Sequence, residues 1–294
     1  MTDPVLLPVL HYPRIISLEL DFKRGHGDMY DLERLEHVEQ LAIFDPLLID
    51  ISPLAQMTTL ARLELRSTGA VALRDLPYVH LTSLEFDYEN VVDPESLSAF
   101  KALTKLQISG LADDTIVTHL ATPRAKLERF GLWDARDLRN LNNLISLSAF
   151  DSLDFLLLSG AFKLTSIAGI EKWARTLTGI YLMAPFLEDA ERLAALPRLR
   201  FINLSNTPIR DIAFMAQLSE LWVLHVGGVQ EGLPDLAPLR DLDKLQYLYL
   251  VGNSDVDLTP LAGKANLEIS IANIRDRRVS GSAKLGRGSR ILAY

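Results

Sequence analysis

The frame L-x-x-L-x-L returns along this chain at intervals of 21 to 26 residues, and no other feature limits its fold as much. Leu199, Ile202 and Leu204 recur 22 residues later as Leu221, Leu224 and Val226, while the residues between them change from Phe201 and Asn203 to Val223 and His225. Kept and variable positions that alternate describe a short strand with one covered face. Ile209, Ile212, Met215 and Leu218 follow at spacings of three, which suits a 3₁₀ turn or a short helix with one apolar side.

Aligned on the middle apolar position, the occupants are Leu18, Leu41, Leu63, Leu84, Leu106, Phe130, Leu156, Ile180, Ile202, Leu224 and Leu248, with Ile269 as a degenerate last member. Eleven steps cover 251 residues, a mean near 23. One such unit cannot bury its apolar face alone, and stacked neighbours complete it. The kept positions are therefore core, and the variable ones are the open face of a sheet.

The segments "LQYLYLVGNSDVDLTPLAGKANL" (245–267), "LRFINLSNTPIRDIAFMAQL" (199–218) and "LAIFDPLLIDISPLAQMTTL" (41–60) resemble leucine-rich repeats, of the short type of about 22 residues in internalin-like bacterial proteins. The resemblance covers roughly residues 14–271. It implies an α/β solenoid of about twelve repeats: a curved right-handed superhelix with a parallel β-sheet on its concave side and short 3₁₀ or α segments on its convex side. The inward Asn of the family's turns is present at Asn253, but Thr207 stands in its place in the preceding example, and Ala161 and Pro185 are read as further losses. Those turns need other partners for their buried amides.

Three regions follow from this alignment. Residues 1–40 are read as an N-terminal cap and first repeat, with a helix in "DMYDLERLEHVEQL" capped by Asp28 and burying Leu32, Leu35 and Val38. Residues 41–271 are the repeats, and "PFLEDAERLAALPRL" (185–199) reads as a full helix on the outer side. Residues 272–294 are a basic C-terminal cap or tail, either a flexible end or one docked through Ile291 and Leu292.

Composition narrows the function classes. The 294 residues include no cysteine, which removes disulfides, thiolate metal sites and cysteine nucleophiles, and fits a reducing cytoplasm. Pro4, Pro8 and Pro13, with no basic residue before Arg14, argue against a signal peptide. No apolar run is long enough to span a membrane. The net charge is −8. Residues 272–294 hold six basic residues against Asp276, a balance of +5, which leaves −13 for the rest. Such an acidic body disfavours nucleic acid as the partner, because phosphate neutralisation supplies most of that affinity.

Chemistry-bearing motifs are scarce. The six histidines, His11, His26, His37, His80, His119 and His225, have no second ligand at metal-binding spacing. The glycines of "RGHG" (24–27) and "LGRGS" (285–289) lack the strand-to-helix setting of a phosphate loop. No catalytic residue, metal or cofactor is assigned, and an enzyme is the least favoured reading.

The strand positions facing solvent carry more information. In the N-terminal half they are mixed and mainly acidic: Glu19, Asp21, Asp45, Arg62, Glu64, Arg66, Glu85 and Asp87. From the sixth repeat they become Trp133, Asp134, Phe155, Leu157, Tyr181, Met183, Phe201, Asn203, Val223, His225, Tyr247 and Tyr249. Repeat spacing aligns Phe155, Phe201, Val223 and Tyr247 in one row, interrupted by Gly179, and Leu157, Tyr181, Asn203, His225 and Tyr249 in the next. Trp173 and Trp222 fall off these rows and are read as core or edge packing. An aromatic strip of this kind predicts a docking surface for a protein partner, made by Trp133, Asp134, Phe155, Tyr181, Met183, Phe201, Asn203, His225, Tyr247 and Tyr249. The expectation is a monomeric, cytoplasmic, non-catalytic binding module. The alternative is an immunity or inhibitor protein that neutralises a basic toxin or enzyme through the acidic strands.

Overall fold

The computed structural model describes residues 15–21, 32–44, 50–66, 69–110, 114–120, 126–209, 211–228, 234–252, 255–272 and 278–293. Asp28, Asp45 and Asn253, and the N-terminal cap up to residue 14, lie outside the described residues. The chain divides into two compact units, one running to Trp133 and including Ser146–Asp151, the other formed by Asp134–Ile145 and Ser152 onward.

In the first unit, strands β1 (Ser17–Asp21), β2 (Gln40–Phe44), β3 (Arg62–Arg66), β4 (Ser83–Asp87), β5 (Lys105–Ser109) and β6 (Arg129–Trp133) pair in sequence order, all parallel. Leu18, Leu41, Leu63, Leu84, Leu106 and Phe130 are in register. The repeat spacing read from the sequence is therefore the strand pairing itself. The inward residues Leu63 and Leu65 are buried while Arg62, Glu64 and Arg66 are not, as a period of two requires.

The second unit repeats the pattern in β7 (Phe155–Leu158), β8 (Gly179–Leu182), β9 (Phe201–Ser205), β10 (Val223–Gly227) and β11 (Tyr247–Val251). Two-residue β12 (Val256–Asp257) lies in the return segment, and β13 (Glu268–Ala272) pairs next to β11. Residues 278–293 continue the stack: β14 (Val279–Ser280) pairs with β12, and β15 (Arg290–Ala293) pairs in parallel with β13, setting Ile291 beside Ile269. Ile291 is thus one more member of the apolar series, 22 residues past the last one recognised in the sequence. Gly286 permits this docking. Its N–H donates to the Lys264 carbonyl at 2.7 Å, and a Cβ there would stand 2.7 Å from that same oxygen.

The return segments are mostly 3₁₀ turns. The helix expected in 185–199 is only the 3₁₀ segment Ala190–Ala195, and the described part of the one expected before β2 holds the single 3₁₀ turn Leu32–Arg34. Leu32, Leu35 and Val38 are nonetheless buried as expected. The reason is width. Strands advance about 4.8 Å per repeat, whereas an α-helix with side chains is about 10–12 Å across, so slimmer turns keep pace with the sheet. Among the described residues the α-helix is Asn142–Ser146. Aspartates pin successive returns together: Asp189 accepts from Ser166 Oγ at 2.6 Å and from the Ile167 N–H at 2.9 Å, and buried Asp93 accepts from the Leu73 N–H at 2.6 Å.

The turns after the strands solve the missing-Asn problem in two ways. The position equivalent to Thr207 one repeat earlier is Ala184, not Pro185, and the series runs Ala161, Ala184, Thr207. Ala135 N–H donates to the Ser159 carbonyl, and Ala161 N–H to the Met183 carbonyl, both at 3.0 Å. Thr207 is buried, accepts from the Ala184 N–H at 3.1 Å and donates to the Leu182 carbonyl at 2.9 Å. A small residue lets the backbone reach the next strand, and a hydroxyl bridges where it does not.

Candidate functional site

The register of β7 to β11 builds both expected rows. Phe155, Gly179, Phe201, Val223 and Tyr247 align across the strands, as do Leu157, Tyr181, Asn203, His225 and Tyr249. None of these five-residue rows contains a carboxylate or a Lys or Arg. The equivalent positions of the first unit include Glu19, Arg62, Glu64, Glu85 and Lys105.

Within and between the rows the rings touch. Phe155 and Phe201 have centroids 5.8 Å apart, Phe201 and His225 5.8 Å, and His225 stacks on Tyr249 at 3.9 Å. Phe155 reaches Phe201 because Gly179 stands between them; a Cβ on Gly179 would lie 2.7 Å from Phe155 Cε2. Phe155, Tyr181, Phe201, His225, Tyr247 and Tyr249 are all half-buried. Burial pulls the His225 pKa down to about 4, so this imidazole is neutral near pH 7 and the ladder carries no charge. Burial likewise raises the Tyr181 phenol above its ordinary value. Its hydroxyl donates to Met183 Sδ at 3.0 Å.

Three members of the expected set play different parts. Asn203 is 7% exposed, and its Oδ1 accepts from the Ser205 N–H at 2.9 Å, so this oxygen braces its own strand. Asp134 is a turn residue with φ of 63°, held by Arg136 at 2.6 Å. Trp133 lies on β6, beside Ser109 in the first unit. Leu157 occupies its place in the row but is buried, 6% exposed.

Of the two readings of Trp222, core or edge, the edge one holds: just before β10, it is 46% exposed and meets Tyr247 edge-on at 5.3 Å. Trp173 is fully buried, as core. Sequence reasoning missed two other exposed aromatics, Phe162 and Phe186, in the turns that follow β7 and β8. The signal available was their place outside the inward apolar frame, where a large aromatic has no core to enter.

The first unit's face is polar and internally paired. Arg66 donates to Asp87 at 2.9 Å and to Glu64 at 3.2 Å, and also bonds Glu85 and Ser109. Burial opposes its charge, but the bond to Asp87 and the fields of Glu85 and Asp87 outweigh it and raise its pKa. Burial raises the Glu85 carboxyl, with Arg66 offsetting part of the shift. A shallow depression of about 220 Å³ lies over Ser17, Glu19, Ala42, Glu64, Glu85 and Lys105. Among the described residues no group of His, Asp or Glu is placed to hold a metal ion, and no helix is long and apolar enough to cross a membrane.

Compared by structure, the chain is similar to an internalin (inlF) of Listeria monocytogenes, with a TM-score of 0.62 and 17% identity over 96% of this chain and 92% of that one. This is the leucine-rich-repeat fold. A Leptospira interrogans leucine-rich-repeat protein is similar at a TM-score of 0.55 and 15% identity, over 97% and 76% of the two chains. TLR13, in a complex with ssRNA13, is similar at 0.62 and 20% identity, over 94% of this chain and 41% of its own. Compared by sequence, the leucine-rich-repeat chain matches no family model and no curated protein. The repeats hold the shape while the letters drift: an inward position needs only an aliphatic or aromatic side chain of suitable volume.

Proposed function

We propose that this leucine-rich-repeat chain is a protein-binding module whose docking surface is the ring-bearing face of β7–β11. One observation carries the reading: two adjacent rows without a formal charge, in which Phe155, Tyr181, Phe201, Val223, His225, Tyr247 and Tyr249 are half-buried, on a chain of net charge −8. Contiguous apolar patches of this kind are uncommon on surfaces that stay in water, and Tyr and Trp are enriched where partners bind. Residues 278–293 extend the sheet beside β13. The bound partners of structurally similar proteins, ssRNA13 on TLR13 and Casparian Strip Integrity Factor 2 on a plant receptor-kinase ectodomain, support a binding role. The absence of any cation in the two rows favours a protein over a nucleic acid.

The test is Tyr181→Ala combined with Tyr249→Ala. The double variant keeps its far-ultraviolet circular dichroism and loses capture of the partner from native lysate; capture at the parent level would remove the support for this face. The reading as an inhibitor of a basic protein is weakened by Arg66, which already engages Glu64, Glu85 and Asp87. Binding that falls steeply with salt and is abolished by charge reversal at Glu19 and Glu85 would restore it.

A further inference from the structure

The ring-bearing face is not flat. In one row Val223 stands between Phe201 and Tyr247, and in the next Asn203 stands between Tyr181 and His225. Both are shorter than the rings beside them. Phe201 and His225 meet across the other diagonal at 5.8 Å, a ridge between these two low points. The members of each ring pair are two strands apart, about 9.6 Å at the backbone.

Asn203 is the odd residue of the set, a polar side chain only 7% exposed. The bond from the Ser205 N–H identifies its oxygen, and its amide nitrogen bonds no described residue. A partner that covered this nitrogen without offering an acceptor would strand its N–H donors, which is costly. The Tyr247 and Tyr249 hydroxyls and the Trp222 indole N–H likewise bond no described residue. The polar groups left on this face are therefore chiefly donors, and neither row holds a carboxylate.

That combination selects the occupant. It must be uncharged and apolar, present carbonyls, and bring few N–H groups of its own. A run of prolines meets each demand: it has no amide hydrogen, its rings are apolar, and in polyproline II its carbonyls make no internal bonds. Three residues of that helix, one turn, advance about 9.3 Å, close to the two-strand step between the rings. Aromatic-lined grooves are a general means of holding such helices. Resting on the reading of β7–β11 as the docking face, we propose that the partner presents a proline-rich polyproline II segment laid across these strands, with one of its carbonyls accepting from the Asn203 amide.

The test uses the full chain and two labelled peptides of equal length with blocked ends. One is oligoproline; the other alternates valine with serine, equally uncharged but with an N–H at every residue. Fluorescence anisotropy should show oligoproline bound about ten-fold more tightly. Asn203→Asp keeps the oxygen that the Ser205 N–H needs and replaces the donor with an acceptor, and should weaken oligoproline binding about ten-fold. Trp222→Phe, at an exposed side chain, removes one N–H and keeps a ring, and should weaken it about three-fold with unchanged circular dichroism. In the parent chain the side-chain amide resonances of Asn203 should shift as oligoproline is added. Equal affinity for the two peptides overturns the proposal, and so do unmoved Asn203 resonances. Failure here is separable from failure of the face itself. If the Tyr181→Ala, Tyr249→Ala variant loses partner capture while oligoproline shows no preference, the face stands and the proline-rich occupant falls.

Discussion

The ring of Phe155 lies over Gly179 and meets Phe201 at 5.8 Å between centroids, although β8 runs between the strands that carry them. A residue with no side chain thus creates the contact between two that have large ones. The pairing makes the row continuous, and that continuity is what a partner would read.

Gly179→Ala should break it. The backbone at Gly179 is in an ordinary extended strand, so alanine is tolerated locally, but its methyl group displaces the Phe155 ring. The expected cost is about 0.5–1.5 kcal/mol, the worth of an aromatic pair. A urea titration gives the stability, and a nuclear Overhauser contact between the two rings reports the geometry. An unchanged midpoint with the contact intact would contradict this account.

Arg66→Met should leave Glu64, Glu85 and Asp87 crowded without their shared cation. Breaking such a partly buried network costs about 1–3 kcal/mol at pH 7. Burial already raises the Glu85 pKa, and loss of the guanidinium raises it further. The carboxyl therefore protonates as the pH falls toward about 4.5, and the penalty shrinks. Chemical denaturation at the two pH values checks the sign; an equal loss at both would refute it.

His225 gives a second pH dependence, of defined direction. Its folded pKa is about 4 against 6.5 for a free imidazole, so between these values the unfolded chain binds the proton and the folded chain does not. Stability from this residue is complete above pH 6.5, declines as the pH drops toward 4, and falls no further below that. The groups packed against it are the rings of Phe201 and Tyr249 and the neutral Asn203. In His225→Phe, which preserves a ring for the stack, the fall in denaturation midpoint across that window should be smaller than in the parent. Parallel profiles would sink the assignment.

Thr207→Val keeps the shape of the side chain and removes both hydrogen bonds, orphaning the buried Ala184 N–H and a Leu182 carbonyl bond. The expected loss is about 1–3 kcal/mol. Thr207→Ser should retain most of the stability, since the hydroxyl survives. Calorimetric melting of the two variants separates a hydrogen-bonding role from simple filling of space.

The repeat frame was readable because the inward positions obey one rule, apolar and of moderate volume, and the register from Leu18 to Phe130 and from Leu156 to Ile269 follows it. Ile291 obeys the same rule but was read only as a docking point of a tail that could equally be a flexible end, since arginine, glycine and serine around it resemble a chain end. The outer segments were harder. Nothing in "EDAERLAALP" distinguishes a 3₁₀ turn from an α-helix until the strand spacing limits its width. Leu157 and Asn203 stand on the face their alternation assigned, yet both are buried, because exposure there depends on how far rings from neighbouring repeats lean. Trp222 was uninformative by sequence for the opposite reason: it sits one residue outside the strand, where the period of two gives no direction.

The turn amides of Ala135 and Ala161 find their acceptors on Ser159 and Met183, one repeat further along, and Asn206 N–H finds the Gly227 carbonyl in the same sense. These turn bonds point the opposite way from the strand-entry bonds, in which Gly179 N–H donates back to the Asp154 carbonyl and Phe201 N–H back to the Thr178 carbonyl. During synthesis a newly emerged coil can therefore latch to its predecessor through its strand, while its turn donor stays open until its successor arrives. Deleting any one coil would strand the coil before it, and damage at the far end should fray backward rather than stay local.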